Sequence, residues 1–142
     1  MDNKLHLMIV DDNPHARKAL SALISAQDWV GAISEAYNGE DAIGKIKQQI
    51  PNLILMDVEM PDMNGLEATK IIKSKWSQIK IIVLTMYPDY RAEALSAGAD
   101  AFLIKGCSMD EITTLVHGFQ AQKMGNSLPN FTLQFVSTPP QI

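Results

Sequence analysis

The chain has a single cysteine, Cys107, which excludes an internal disulfide and suits a reducing compartment. Aromatic residues make up only 6% of it, and its two tryptophans, Trp29 and Trp76, read as packing residues rather than a binding platform. Positive charge is not in excess. Twelve Lys and Arg face sixteen Asp and Glu, for a net charge of -4, and the pI is near 5.2. That balance offers no global attraction to nucleic acid or to an anionic membrane, so any contact with DNA would fall to another domain. No apolar stretch approaches the ~20 residues that cross a bilayer. The opening Met1-Asp2-Asn3-Lys4 leads into only a short apolar run, which is not a signal peptide. A soluble, cytoplasmic protein without membrane contact is the expectation. What remains, 142 residues with 46% hydrophobic and 20% charged, can build one domain around its own core.

Short apolar runs recur at Leu5 to Val10, Trp29 to Ala36, Leu53 to Met56, Ile79 to Leu84 and Ala101 to Ile104. They are too short for helices, and several are apolar at nearly every position, as strands covered on both faces are. Between them the period lengthens. Ala16, Ala19, Leu20, Leu23 and Ile24 mark one helical face, as do Ile112, Leu115, Val116 and Phe119; Ala42, Ile43, Ile46 and Ile50 do so more loosely. Pro14 after Asp12-Asn13 suits a capped first turn, and Gly98 after Ala92 to Ala97 suits a helix end. Five strands alternating with five helices imply an α/β doubly wound sandwich with a parallel sheet, and the common five-stranded order is 2-1-3-4-5, the flavodoxin-like (βα)5 arrangement. The texture changes near Gln122. Residues 1–122 are expected to form the domain, and 123–142, with Gly125, Asn126, Ser127, Pro129, Pro139 and Pro140, a linker or tail. Within that tail Phe131, Leu133 and Phe135 alternate with polar residues, which fits either a mobile tail or a short edge strand or docking segment.

In an open parallel sheet, ligands bind beyond the carboxyl ends of the strands. There the sequence places Asp11-Asp12 after the first strand, Asp57 after the third, Thr85 at the end of the fourth and Lys105 after the fifth. Singly, Asp12 could be a helix cap, Asp57 a turn residue and Lys105 a solvated strand end. Together they deliver three carboxylates, a hydroxyl and an ammonium to one rim. Clustered carboxylates repel unless a cation joins them, and all-oxygen donors select a hard ion such as Mg²⁺. A carboxylate can serve as a nucleophile toward phosphorus, and the phosphoryl oxygens need a metal on one side and an ammonium on the other. The spacing therefore suggests a site that accepts phosphate on Asp57.

These residues resemble the receiver domains of bacterial response regulators over roughly residues 4 to 121. Asp11-Asp12 resemble the metal-binding acid pair. Asp57-Val58-Glu59-Met60-Pro61-Asp62-Met63-Asn64-Gly65 resembles the stretch that starts at the phosphoacceptor, Thr85 the switch hydroxyl, Lys105 the invariant lysine and Phe102 the switch aromatic. The resemblance implies Mg²⁺ held by Asp12, Asp57 and the Glu59 main-chain carbonyl, with Asp11 acting through a water. It implies a phosphoryl group supplied by a sensor histidine kinase or phosphorelay protein. Thr85 would then swing toward the phosphate and Phe102 turn inward, altering the surface of helix four, strand five and helix five. Such a chain is a switch that assists its own modification rather than a turnover enzyme.

Two positions depart from the pattern. Gly106 stands where many receivers carry a cis proline, and a cis bond before a non-proline residue costs ~3 kcal/mol. Phe102 replaces a frequent tyrosine and loses its hydroxyl. Leu84-Thr85-Met86-Tyr87 and Lys105-Gly106-Cys107-Ser108 with Glu111 resemble receivers joined to a LuxR-type helix-turn-helix domain, and Gly125 to Pro129 faintly resembles the start of that family's linker. No such domain follows within the 142 residues. Transcription control through a further domain and a stand-alone receiver working by protein contact or phosphorelay both stay open. Homodimerisation on phosphorylation is an expectation from the same resemblance. An FMN carrier fits poorly, because Asp11-Asp12-Asn13-Pro14 offers negative charge where a flavin phosphate needs donors. A hydrolase with an aspartyl-phosphate intermediate would put its nucleophile after the first strand. His6, His15 and His117 read as surface or packing residues, and Cys107 lacks the neighbours of a reactive thiol.

Overall fold

The structure, a computed structural model, describes residues 4–123. Five strands alternate with five helices: β1 Leu5–Val10, α1 Pro14–Ser25, β2 Val30–Ala36, α2 Gly39–Gln48, β3 Leu53–Met56, α3 Gly65–Lys75, β4 Lys80–Thr85, α4 Arg91–Ser96, β5 Ala101–Ile104 and α5 Met109–Lys123. A single 3-10 turn, Pro88–Tyr90, precedes α4. The strands form one sheet in the order β2-β1-β3-β4-β5, and every neighbouring pair is parallel. This is the flavodoxin-like sandwich that the sequence predicts. The tail assigned to residues 123–142, with its Phe131, Leu133 and Phe135 alternation, lies outside the described residues from position 124 onward.

Asparagine opens the first three helices. Asn13, Asn38 and Asn64 sit in extended backbone, and each side-chain oxygen accepts N–H groups of the first turn. Asn64 forms a reciprocal capping box with Glu67. Acidic residues in the first turns of α2 and α3 and lysines in their last turns follow the helix dipole. Gly98 ends α4 with φ +107, as its position in the sequence suggests.

The middle of the sheet is the driest part of the molecule. Leu7, Ile54, Leu55, Met56, Ile81, Ile82 and Val83 are each at most 1% exposed, since helices cover both faces. The α5 stripe, Ile112, Leu115, Val116 and Phe119, is buried as its spacing predicts. Trp29 is buried and donates its indole N–H to Thr113 Oγ1 at 3.1 Å, tying the turn before β2 to α5.

Helix α1 differs from its predicted face. Leu23 is 60% exposed and Ala19 is also exposed, while Ile24 is buried and Arg17, Leu20 and Ser21 are half-buried. The inward side therefore keeps the predicted Ala16, Leu20 and Ile24 and adds Arg17 and Ser21 in place of Ala19 and Leu23. The apolar period misses Arg17 because an arginine stem can lie along a core whose rim is polar.

Candidate functional site

The carboxyl ends of the strands bring four of the predicted residues together. Asp11 follows β1 directly; its amide still donates to Ala36 O of β2 at 3.1 Å, so the residue stays anchored to the sheet. Asp57 follows β3 and donates its amide to Val10 O at 3.0 Å. Lys105 follows β5 and donates its amide to Thr85 O at 2.8 Å. These ladder-end bonds aim the side chains into one pocket. Lys105 Nζ lies 3.0 Å from Asp11 Oδ2 and 3.2 Å from Asp57 Oδ1, so one ammonium is shared between two buried carboxylates. Asp12 is exposed, and ligand oxygens from Asp11, Asp12 and Asp57 all fall within 4.8 Å of one another.

The electrostatics follow from this crowding. Burial pushes the Asp57 carboxyl up to about 6; Lys105 pulls it down, and the neighbouring Asp11 pushes it up. Burial alone would lower the Lys105 ammonium, but the bonds to Asp11 and the charge of Asp57 outweigh it and raise the pKa above the usual lysine value. Two carboxylates and one ammonium leave the pocket with an uncompensated negative charge even before Asp12 is counted. The three carboxylates offer only oxygen, the donor set of a hard divalent cation, and they are close enough to hold one.

The remaining predicted residues are placed less uniformly. Thr85 is buried at the end of β4, and its Oγ1 accepts the Tyr87 N–H at 3.3 Å. Glu59, whose main-chain carbonyl is the expected metal ligand, turns its side chain away to accept the Tyr90 hydroxyl at 3.1 Å; Asp12, Glu59 and Tyr90 line one shallow depression. Phe102 is 3% exposed. The ring is already inside, so the inward turn implied by the resemblance has no outward starting point in this structure. Among the described residues no peptide bond is cis, in keeping with Gly106 after Lys105. His15 and His117 are exposed, and His6 pairs with Ser34 Oγ at 3.0 Å. Burial pushes the Cys107 thiol up to about 11, with Glu111 adding to it, which keeps the thiol protonated as expected.

Gly65 is required by close approach. A Cβ there would stand 1.8 Å from the main-chain oxygen of Asp57, and the Gly65 N–H donates to Val58 O at 2.8 Å. The start of α3 thus packs directly on the peptide that carries Asp57.

Two residues escaped the sequence reading. Tyr90 is one, since a bond across 31 positions leaves no local trace. Arg17 is the other: it donates from Nη1 to Asp11 O at 2.6 Å and from Nε to Glu35 Oε1 at 2.9 Å. Its signal was a charge on the stripe 17, 20, 24 of α1.

Comparison with known proteins agrees with this geometry. The response regulator receiver domain family matches residues 7–117. The transcriptional regulatory protein LnrK of Bacillus subtilis is 37% identical over 114 residues, covering 79% of this chain and 52% of that protein. The chain thus spans about half the length of the curated relatives it matches. A LuxR-family DNA-binding response regulator from Staphylococcus aureus superposes with a TM-score of 0.71 at 31% identity, covering 81% of this chain and 98% of that one. The response regulator TrrA of Thermotoga maritima, solved in complex with Mg²⁺ and BeF, gives 0.73 at 33% identity over 80% of this chain and 97% of that one. With the sheet order, the acidic rim and the shared lysine all in agreement, the chain belongs to the response regulator receiver domain family.

Proposed function

We propose that this chain is a Mg²⁺-dependent phosphorylation switch that accepts a phosphoryl group on Asp57. One observation carries the reading: Asp57, buried at the end of β3, shares Lys105 with Asp11 at 3.2 Å and lies within metal-ligand reach of Asp11 and Asp12. The proposed ligands are Asp11, Asp12, Asp57 and the Glu59 main-chain carbonyl. Mg²⁺ fits the all-oxygen donors, and the Mg²⁺ bound by the Thermotoga relative supports the choice. The ion would supply charge neutralisation on the phosphoryl oxygens.

This chain's own residues do the rest. A carboxylate oxygen of Asp57 attacks phosphorus, while the P–N bond of the donor phosphohistidine breaks and its electron pair returns to the imidazole. Lys105 balances the charge gathering on the other side of the group. Thr85 then offers its hydroxyl to a phosphoryl oxygen. Its oxygen also accepts the Tyr87 N–H, a contact through which a movement of Thr85 would reach the exposed Met86-Tyr87 stretch. Phe102, already inside, holds the inward state. A charge change of this kind biases a two-state equilibrium of the surface.

The proposed donor is a sensor histidine kinase or a phosphorelay protein, and the setting is the cytoplasm. Transcription control through a helix-turn-helix domain is supported by LnrK and the Staphylococcus regulator. The receiver itself, residues 1–122, would not touch nucleic acid, and phosphorylation would bring two copies together. Incubation with acetyl phosphate and Mg²⁺ tests the core of this reading. Base-labile phosphate is expected at one per chain, lost on chelation of Mg²⁺ and lost in Asp57→Asn. Equal uptake by Asp57→Asn would overturn it.

A further inference from the structure

The backbone of β1 leaves the sheet at Asp11. The Asp11 N–H still belongs to the β1–β2 ladder, whereas its carbonyl accepts from the side chain of Arg17 at 2.6 Å. Arg17 lies at the end of the first turn of α1 with its side chain 15% exposed, and its Nε donates to Glu35 Oε1 on β2 at 2.9 Å. Glu35 is also paired with Lys18 at 3.3 Å. Burial works against the Glu35 charge, but Arg17 and Lys18 outweigh it and hold the carboxyl below its usual range. One guanidinium thus joins the end of β1, the start of α1 and the end of β2. Its planar fork serves both acceptors with separate nitrogens held in a fixed geometry.

The consequence falls on Asp12. The Asp11 carbonyl and the Asp12 N–H share one rigid peptide plane, so a strong bond to that oxygen sets the direction in which the chain enters Asp12. The Asp11 carboxylate is fixed independently, by the Asn13 N–H at 2.9 Å and Lys105 at 3.0 Å. The Asp12 carboxylate is exposed and makes no hydrogen bond among the described residues. Its position in the acidic trio therefore depends on the backbone that Arg17 holds.

We infer that Arg17 is a positioning residue for the acid pair, setting the affinity for Mg²⁺ by orienting the Asp11-Asp12 peptide, with Glu35 as its anchor. This rests on the reading of the site as a Mg²⁺-dependent phosphoacceptor. Lys18 provides the contrast, since it pairs with the same Glu35 carboxylate without touching the acid pair.

Calorimetric titration of the 142-residue chain with MgCl₂ tests it directly. Arg17→Ala raises the Mg²⁺ dissociation constant about tenfold and Glu35→Gln about threefold, the scale of losing or loosening one charge-assisted bond. Lys18→Ala leaves it unchanged. Phosphorylation by acetyl phosphate needs correspondingly more Mg²⁺ for half its maximal rate in Arg17→Ala, yet recovers the wild-type rate at saturating Mg²⁺. A purely structural role moves the unfolding midpoint and not this split. Wild-type Mg²⁺ affinity in both Arg17→Ala and Glu35→Gln overturns the inference, as does an equal loss in Lys18→Ala. Failure of the wild-type chain to bind Mg²⁺ overturns instead the reading of the site on which the inference rests.

Discussion

The two ends of the sheet use the same five strands for opposite purposes. At the carboxyl end Asp11, Asp57 and Lys105 crowd into a negatively biased pocket, with Thr85 buried at the end of β4. At the amino end Asn52 knits three strands together: it donates its N–H to His6 O at 2.8 Å, accepts the His6 N–H on Oδ1 at 2.8 Å, and its carbonyl accepts from Lys80 at 3.1 Å. Beside it an apolar groove is lined by Leu5, Ile50, Pro51, Leu53 and Phe119, with Lys80 Nζ 5.6 Å over the Phe119 ring. One end pairs the main-chain groups that Asn52 reaches, with the His6 Nδ1 left buried and unpaired; the other leaves charge in excess. The fold tolerates the second because the strand centres between them are fully buried and supply the burial energy. A site of this kind costs stability, and the sheet behind it bears that cost.

Breaking the contrast most severely is Gly65→Ala. Its new Cβ would collide with the Asp57 main chain, and a loss of about 3–5 kcal/mol, or failure to fold, is expected in denaturant unfolding. Lys105→Met strips the shared cation from Asp11 and Asp57. Discounted for partial exposure, it should cost about 2 kcal/mol at pH 7.5 without divalent ions, and less at pH 4.5 where the Asp57 carboxyl gains a proton. At the amino end, Asn52→Ala removes a single acceptor and should cost about 1 kcal/mol, with the phosphorylation rate unaltered.

Asp57→Asn sharpens the comparison from the other side. Burial raises the folded carboxyl to about 6 from the ordinary aspartate value of 3.8, so the folded chain binds the proton more tightly than the unfolded one. Stability then falls as pH rises through that window, and the ionised Asp57 is a burden at neutral pH. Without Mg²⁺, Asp57→Asn should raise the unfolding midpoint by about 3 °C at pH 7.5, allowing for screening, and by nothing near pH 3.5. A midpoint that drops at pH 7.5 would show that the carboxylate is well compensated and that the two ends are alike.

Much of this was legible in the chain itself. The runs Leu5 to Val10, Leu53 to Met56 and Ala101 to Ile104 coincide with β1, β3 and β5, because strands covered on both faces must be apolar at nearly every position. The run from Ile79 shifted by one residue, to Lys80–Thr85. Caps at Asn13 and Gly98 were local signals and lie where expected. Asp11, Asp57, Thr85 and Lys105 could be gathered because a parallel sheet puts every strand's carboxyl end on one rim. Helix α1 was read less well: Leu23 looked inward by period and is 60% exposed, whereas Arg17, which an apolar period does not mark, is held with its side chain 15% exposed.

By itself the sequence determined the order of elements, the rim on which the acidic residues and the lysine gather and the carboxylate proposed as phosphoacceptor, since each is written in local period or in position after a strand. Only the tertiary structure decided how the charges are partnered: Lys105 divided between two carboxylates, Glu59 turned out to Tyr90, and Arg17 spanning from α1 to the Asp11 carbonyl and Glu35. These pairings join residues far apart along the chain or on different elements, and their geometry exists only after the strands have chosen their neighbours.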